Sequence, residues 1–64
     1  MTIFVNDESQ PLAGSLSELL ERMGLNDAVV VTAVNGRFVG LADRRTTPLT
    51  LGDRVEILAP MQGG

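Results

Sequence analysis

The sequence predicts an α+β fold, a mixed sheet of four to five strands packed on one helix. Three observations carry this expectation. One stretch with helical periodicity runs from Ser15 to Met23, opened by a capping signal and closed by a glycine. Short β-branched runs stand on both sides of it. An Asn35-Gly36 dipeptide, the favoured centre of a two-residue hairpin turn, separates two of those runs. With 64 residues the chain makes one domain at most, and it has neither cysteine nor histidine, so the core must rest on aliphatic packing.

Thr2 to Val5 is β-branched and aromatic, and predicts a first strand. Asn6-Asp7-Glu8-Ser9 is turn chemistry, because these side chains bond nearby backbone and tolerate tight turns. Gln10-Pro11-Leu12-Ala13 returns as a second strand, and Pro11, which has no N–H, points to a sheet edge. Gly14-Ser15 opens the helix, with Ser15 and Glu18 spaced as a capping box. Leu16, Leu19, Leu20 and Met23 fall on one face; Ser17, Glu18, Glu21 and Arg22 fall largely on the other. Gly24 ends the helix in a left-handed conformation, with Leu25 placed for the accompanying apolar contact. So short a helix is unstable alone in water and must lie against a sheet.

Ala28 to Val34 is apolar on both faces, as a central strand would be. Arg37-Phe38-Val39 begins the strand that returns from the Asn35-Gly36 turn. Gly40 to Thr47 is polar and irregular, with room for one helical turn, and Pro48-Leu49 rejoins the body. Leu51-Gly52-Asp53 is a turn, and Arg54 to Ala59 alternates Val55 and Ile57 against Arg54 and Glu56 as a last strand that Pro60 stops. A hairpin, a helix across one face and a second set of strands close most simply as a β-grasp, or ubiquitin-like, roll. Residues 1–59 are expected to form that domain and residues 60–64 a flexible C-terminal tail.

Composition removes several classes of function. The net charge is −3 and all five bases are arginines without a cluster, which argues against a nucleic-acid partner and against anionic membrane surfaces. The longest apolar run, Ala28 to Val31, is far too short to span a bilayer, and no basic segment precedes an apolar one near Met1, so the cytoplasm is the expected location. Without cysteine or histidine, most nucleophilic and metal constellations are impossible, and no catalytic residue, metal or bound cofactor is expected. Asp43, Asp53 and Glu56 are expected as solvated acids, and Arg44-Arg45 as a solvated loop pair.

Two features remain. If Ile3 and Val5 face the helix, Phe4 faces the other side of the sheet, as Leu58 does on the last strand, and the central run adds valine and alanine there. Either these residues form one docking surface, or they are scattered singly; alternation does not separate the two. The second feature is the ending Pro60-Met61-Gln62-Gly63-Gly64. Two final glycines have no Cβ and can thread a narrow slot, yet a frayed terminus has the same composition.

The order Val34-Asn35-Gly36, then Leu51-Gly52-Asp53-Arg54-Val55-Glu56-Ile57, then Met61-Gln62-Gly63-Gly64 closely resembles the ThiS family, the sulfur carriers of thiazole (thiamin) biosynthesis. The resemblance covers the whole chain, including Val5-Asn6. It implies a carrier that is not itself an enzyme. A ThiF-like adenylating enzyme would use ATP to activate the Gly64 carboxylate, a sulfur-donor protein would supply the sulfur of a thiocarboxylate, and thiazole synthase would receive it. Gly63, Gln62 and Met61 would then fill the partner's channel, with Phe4 and Leu58 on the docking face. A monomer that binds its partners transiently is expected. The absence of cysteine fits sulfur carried on the terminus, and the absence of lysine fits a carrier better than a chain-forming modifier. The rivals are a β-grasp carrier for molybdopterin, tRNA thiolation or cysteine formation, a ubiquitin-like protein modifier, and a plain interaction module. The Met61-Gln62 run-in favours the thiazole branch.

Overall fold

A computed structural model describes residues 2–59. The chain begins with β1 (Thr2–Val5) and β2 (Glu8–Pro11), an antiparallel hairpin in which Val5 pairs with Glu8. The turn between them is only Asn6-Asp7, not the four residues expected. Both adopt left-handed backbone, φ 50° and 69°, which asparagine and aspartate tolerate and which matches the twist of the flanking strands. Glu8 and Ser9 are thereby released into β2, and Leu12 and Ala13 fall beyond its end. Pro11 lies on the edge strand, as its missing donor requires.

The helix α1 (Leu16–Arg22) starts from Ser15, whose Oγ accepts the Glu18 N–H at 3.1 Å. The return half of the box is displaced by one residue, since Glu18 Oε1 accepts the N–H of Gly14, also at 3.1 Å. Past the other end, Leu25 N–H reaches Leu20 O at 2.8 Å and Gly24 N–H reaches Glu21 O at 3.0 Å. This is the paired bonding of a Schellman motif, with Gly24 at φ 75°. Arg22 donates to the carbonyls of Leu12 and Pro11 and ties the last helical turn to the end of β2.

Three further strands complete the sheet: β3 (Val31–Val34), β4 (Arg37–Val39) and β5 (Arg54–Leu58). Their order is β2-β1-β5-β3-β4, with β1 and β5 parallel and the other pairs antiparallel. The central strand is therefore β5, and β3 stands one place from the edge. β3 is also shorter than expected: Ala28 and Val29 are exposed and lie before it, as the chain crosses from the helix. Asn35-Gly36 turns with φ 52° and 82°, as a two-residue hairpin requires. A single 3-10 turn, Leu41–Asp43, follows β4. Leu49 then packs into the core while its N–H bonds Gly14 O, so this segment crosses the entry to α1.

The core lies between α1 and one face of the sheet. Ile3 and Val5 from β1, Val34 from β3, Val39 from β4, and Val55 and Ile57 from β5 meet Leu16, Leu19 and Leu20. Each fully buried aliphatic side chain contributes on the order of 1.5–3 kcal/mol by leaving water. Met23 lies half out of this face at the end of the helix. Arg44, expected in solvent, is instead 7% exposed. Its Nε donates to Thr32 Oγ1 at 3.1 Å, its Nη2 donates to Val30 O, and Thr32 Oγ1 donates onward to Val39 O at 2.7 Å. The Thr32 hydroxyl and the Val30 carbonyl are the acceptors that make burying this guanidinium tolerable.

Candidate functional site

The face of the sheet away from α1 is uncovered, so whatever alternation places there is available to a partner. On β1, Ile3 and Val5 point to the core and Phe4 points outward; on β5, Val55 and Ile57 point in and Leu58 points out. Phe4 and Leu58 thus share the outer face, as expected, but they do not touch. The parallel register sets Phe4 beside Arg54, and Leu58 lies at the far end of β5, with Glu56 between. The Arg54 guanidinium sits over the Phe4 ring, 5.3 Å from its centroid, and also approaches Asp7 at 3.6 Å. Phe4 is accordingly half-buried under a cation, whereas Leu58 is 64% exposed.

The neighbours of Leu58 make the larger apolar patch. Val31 stands directly opposite it on β3 and is 44% exposed. Ala33, two residues along and on the same face, pairs with Phe38 of β4, which is 73% exposed. Leu58, Val31, Ala33 and Phe38 therefore form one stripe across three strands, against the end of β5 from which the chain continues to its last residues. A valine and an alanine of the central run were expected on this face, and the register makes them Val31 and Ala33; Phe38 was not expected there. The signal for Phe38 was present: a two-residue Asn35-Gly36 turn pairs Val34 with Arg37 and hence Ala33 with Phe38.

Met61, Gln62, Gly63 and Gly64, expected to enter a partner's channel, lie outside the described residues. Among the described residues no group of three or more acids is placed to hold a metal ion. A groove of about 670 Å³ lies beside α1 and not on the outer face; Glu21 and Arg45 of opposite sign line it, and Arg44 is committed to Thr32 and Val30. It offers no convergent chemistry. Asp53 accepts three hydrogen bonds, more than any other acid among the described residues. Its carboxylate accepts the Thr50 N–H at 2.8 Å, then the Asn35 side-chain amide and the Thr50 hydroxyl, and these bonds hold it below the usual aspartate range against a small opposing effect of burial. Its bonds to Thr50 and Asn35 make it a turn-forming group.

The model of the ThiS family matches residues 3–64, from the first strand through both final glycines. The chain belongs to the ThiS family. It is 44% identical over 66 aligned positions to the sulfur carrier protein ThiS of Thermus thermophilus, covering 97% of this chain and 98% of that one. Among solved structures it is similar to the crystal structure of the thiamine biosynthesis protein ThiS of Geobacter metallireducens, with 30% identity, a TM-score of 0.82 and complete coverage of both chains. A solution structure of a thiamine biosynthesis protein from the same organism matches with 28% identity and a TM-score of 0.77, over all of this chain and 88% of that one. The β-grasp fold is thus common to this chain and these ThiS structures. The matched range includes Gly63 and Gly64, and Leu58 of the outer stripe lies on β5, the last described strand. No described helix is long and apolar enough to cross a membrane.

Proposed function

We propose that this chain is the sulfur carrier of thiazole formation in thiamin biosynthesis, with the Gly64 carboxylate as its working group. The observation that carries the proposal is the family match over residues 3–64, on a fold with a bare apolar stripe at the end of its last described strand. A carboxylate is a poor electrophile. A ThiF-like adenylating enzyme therefore uses ATP to form an acyl-adenylate at Gly64 with release of pyrophosphate. Sulfide-level sulfur from a donor protein then attacks the acyl carbon, the acyl–phosphate bond breaks with release of AMP, and a thiocarboxylate is left, which thiazole synthase accepts. The carrier performs none of this chemistry; it holds no cofactor of its own, presents Gly63, Gln62 and Met61 to the partner's channel, and docks through the outer face. Glycine at the last two positions suits a slot too narrow for a Cβ. The cytoplasm, where ATP is available, is the corresponding location.

The test is a chain lacking Gly63 and Gly64. It should unfold at the same urea concentration as the full chain, and should accept no sulfur when the adenylating enzyme, ATP and a sulfur donor are present. Sulfur transfer that survives the deletion would end the proposal. Co-purification decides the branch: retention by thiazole synthase supports it, and binding only to a molybdopterin synthase large subunit contradicts it.

A further inference from the structure

Two asparagines at left-handed turn positions grip the central strand from its two sides. Asn35 N–H donates to Arg54 O at 2.7 Å, and Asn35 Oδ1 accepts the Arg54 N–H at 2.9 Å. Asn6 does the equivalent from β1. Its backbone N–H donates to Val55 O at 2.9 Å, continuing the parallel ladder. In such a ladder its carbonyl would next accept the N–H of Ile57, but the backbone turns away at Asn6, φ 50°. The side chain takes over: Asn6 Oδ1 accepts the Ile57 N–H at 2.8 Å, and Asn6 Nδ2 donates to Ile57 O at 3.0 Å. Both backbone groups of Ile57 on that side are thereby held by one amide, although β1 ended at Val5. Only asparagine offers left-handed backbone together with a donor and an acceptor at this reach.

We infer that Asn6 is a positioning residue, which holds the end of β5 at Ile57 and on which the rate of adenylation at the Gly64 carboxylate depends; this rests on the carrier function proposed above. The two asparagines differ in what lies downstream of them. Asn35 holds Arg54 at the start of β5, and Asn6 holds Ile57, next to the last residue of the strand, Leu58. Val31 opposite Leu58 secures the other side of the strand, so the docking stripe persists without Asn6.

The pair supplies its own control. Asn6→Gly and Asn35→Gly both keep the left-handed turn and both remove side-chain bonds to β5. Carrier-dependent exchange of pyrophosphate into ATP, catalysed by the adenylating enzyme, is measured with each full chain, together with amide hydrogen exchange of Ile57 and Arg54. Asn6→Gly should lower kcat about tenfold or more, as a misplaced reacting group does, with KM for the carrier unchanged and the Ile57 amide exposed to exchange. Asn35→Gly should expose the Arg54 amide and leave kcat at the wild-type value. Wild-type kcat in Asn6→Gly, or an equal loss in Asn35→Gly, overturns the inference. Should Asn6→Gly fail to fold, Asn6→Asp keeps the acceptor for Ile57 N–H and sets an oxygen against Ile57 O; a wild-type kcat there also overturns it. Failure of the wild-type chain to support any exchange overturns the carrier function itself, a separate outcome.

Discussion

The guanidinium of Arg44 and the hydroxyl of Thr32, 3.1 Å apart between Nε and Oγ1, form the polar centre of an otherwise aliphatic core. The pair ties the segment after the 3-10 turn to the β3–β4 ladder, through Val30 and Thr32 on one strand and Val39 O on the other. Arg44→Met keeps most of the volume and removes both donors, so Val30 O is left without a partner. A loss of about 2 kcal/mol is expected, read from urea unfolding. Arg44→Lys, which lacks the planar fork, should fall between the two. Equal stability of Arg44→Met and the wild type would show that the bonds contribute nothing net.

Gly24 sits at φ 75° with open space where a Cβ would go, so substitution there tests backbone strain alone. Gly24→Ala should lose about 1 kcal/mol, and Gly24→Asn a smaller part of that, because asparagine visits the left-handed region more readily. Thermal melts of the two variants separate these values.

Asp53 links stability to pH with a definite sign. Its pKa lies below the ordinary 3.8, chiefly through the Thr50 N–H and then the Asn35 amide. The stabilisation is therefore fully present above that ordinary value and fades as pH falls through the lower folded one. Asp53→Asn should be less stable than the wild type near neutrality, and the two urea midpoints should converge as the pH falls from 3.8 through the lowered folded pKa. A gap that is constant across that range would assign the effect to something other than ionisation.

The outer face makes unequal predictions for its two phenylalanines. Phe38 stands free beside Ala33, whereas Phe4 lies under the Arg54 guanidinium. Phe38→Ala and Leu58→Arg should each weaken binding to the adenylating enzyme about tenfold or more while the chain stays folded, and Phe4→Ala should weaken it less. Titration calorimetry with each variant checks the ranking.

Local signals were legible where the physics is local. The Ser15 cap, the Gly24 terminus, the Asn35-Gly36 turn and the inward set Ile3, Val5, Val55 and Ile57 all follow from neighbouring residues, and all stand in the structure. What was hidden depended on distant partners. Four consecutive turn-forming residues did not reveal that only Asn6 and Asp7 turn, because pairing with β1 decides where β2 begins. An apolar run from Ala28 to Val34 did not reveal that its first residues precede the strand. Arg44 has no sequence neighbour that marks it as buried; its acceptors come from Val30 and Thr32. The docking face was half legible: alternation gave the direction of Phe4 and Leu58, but the register that unites Leu58 with Val31 and Phe38 is a property of the folded sheet.

The central claim is chemical and concerns one carboxylate. Intact-mass measurement of the full chain after incubation with the adenylating enzyme, ATP and a sulfur donor tests it most directly. A gain equal to one oxygen replaced by sulfur, mapped to the peptide that ends in Gly64, is the predicted result. An unchanged mass, with the same enzyme shown to be active on another carrier of the family, would contradict it.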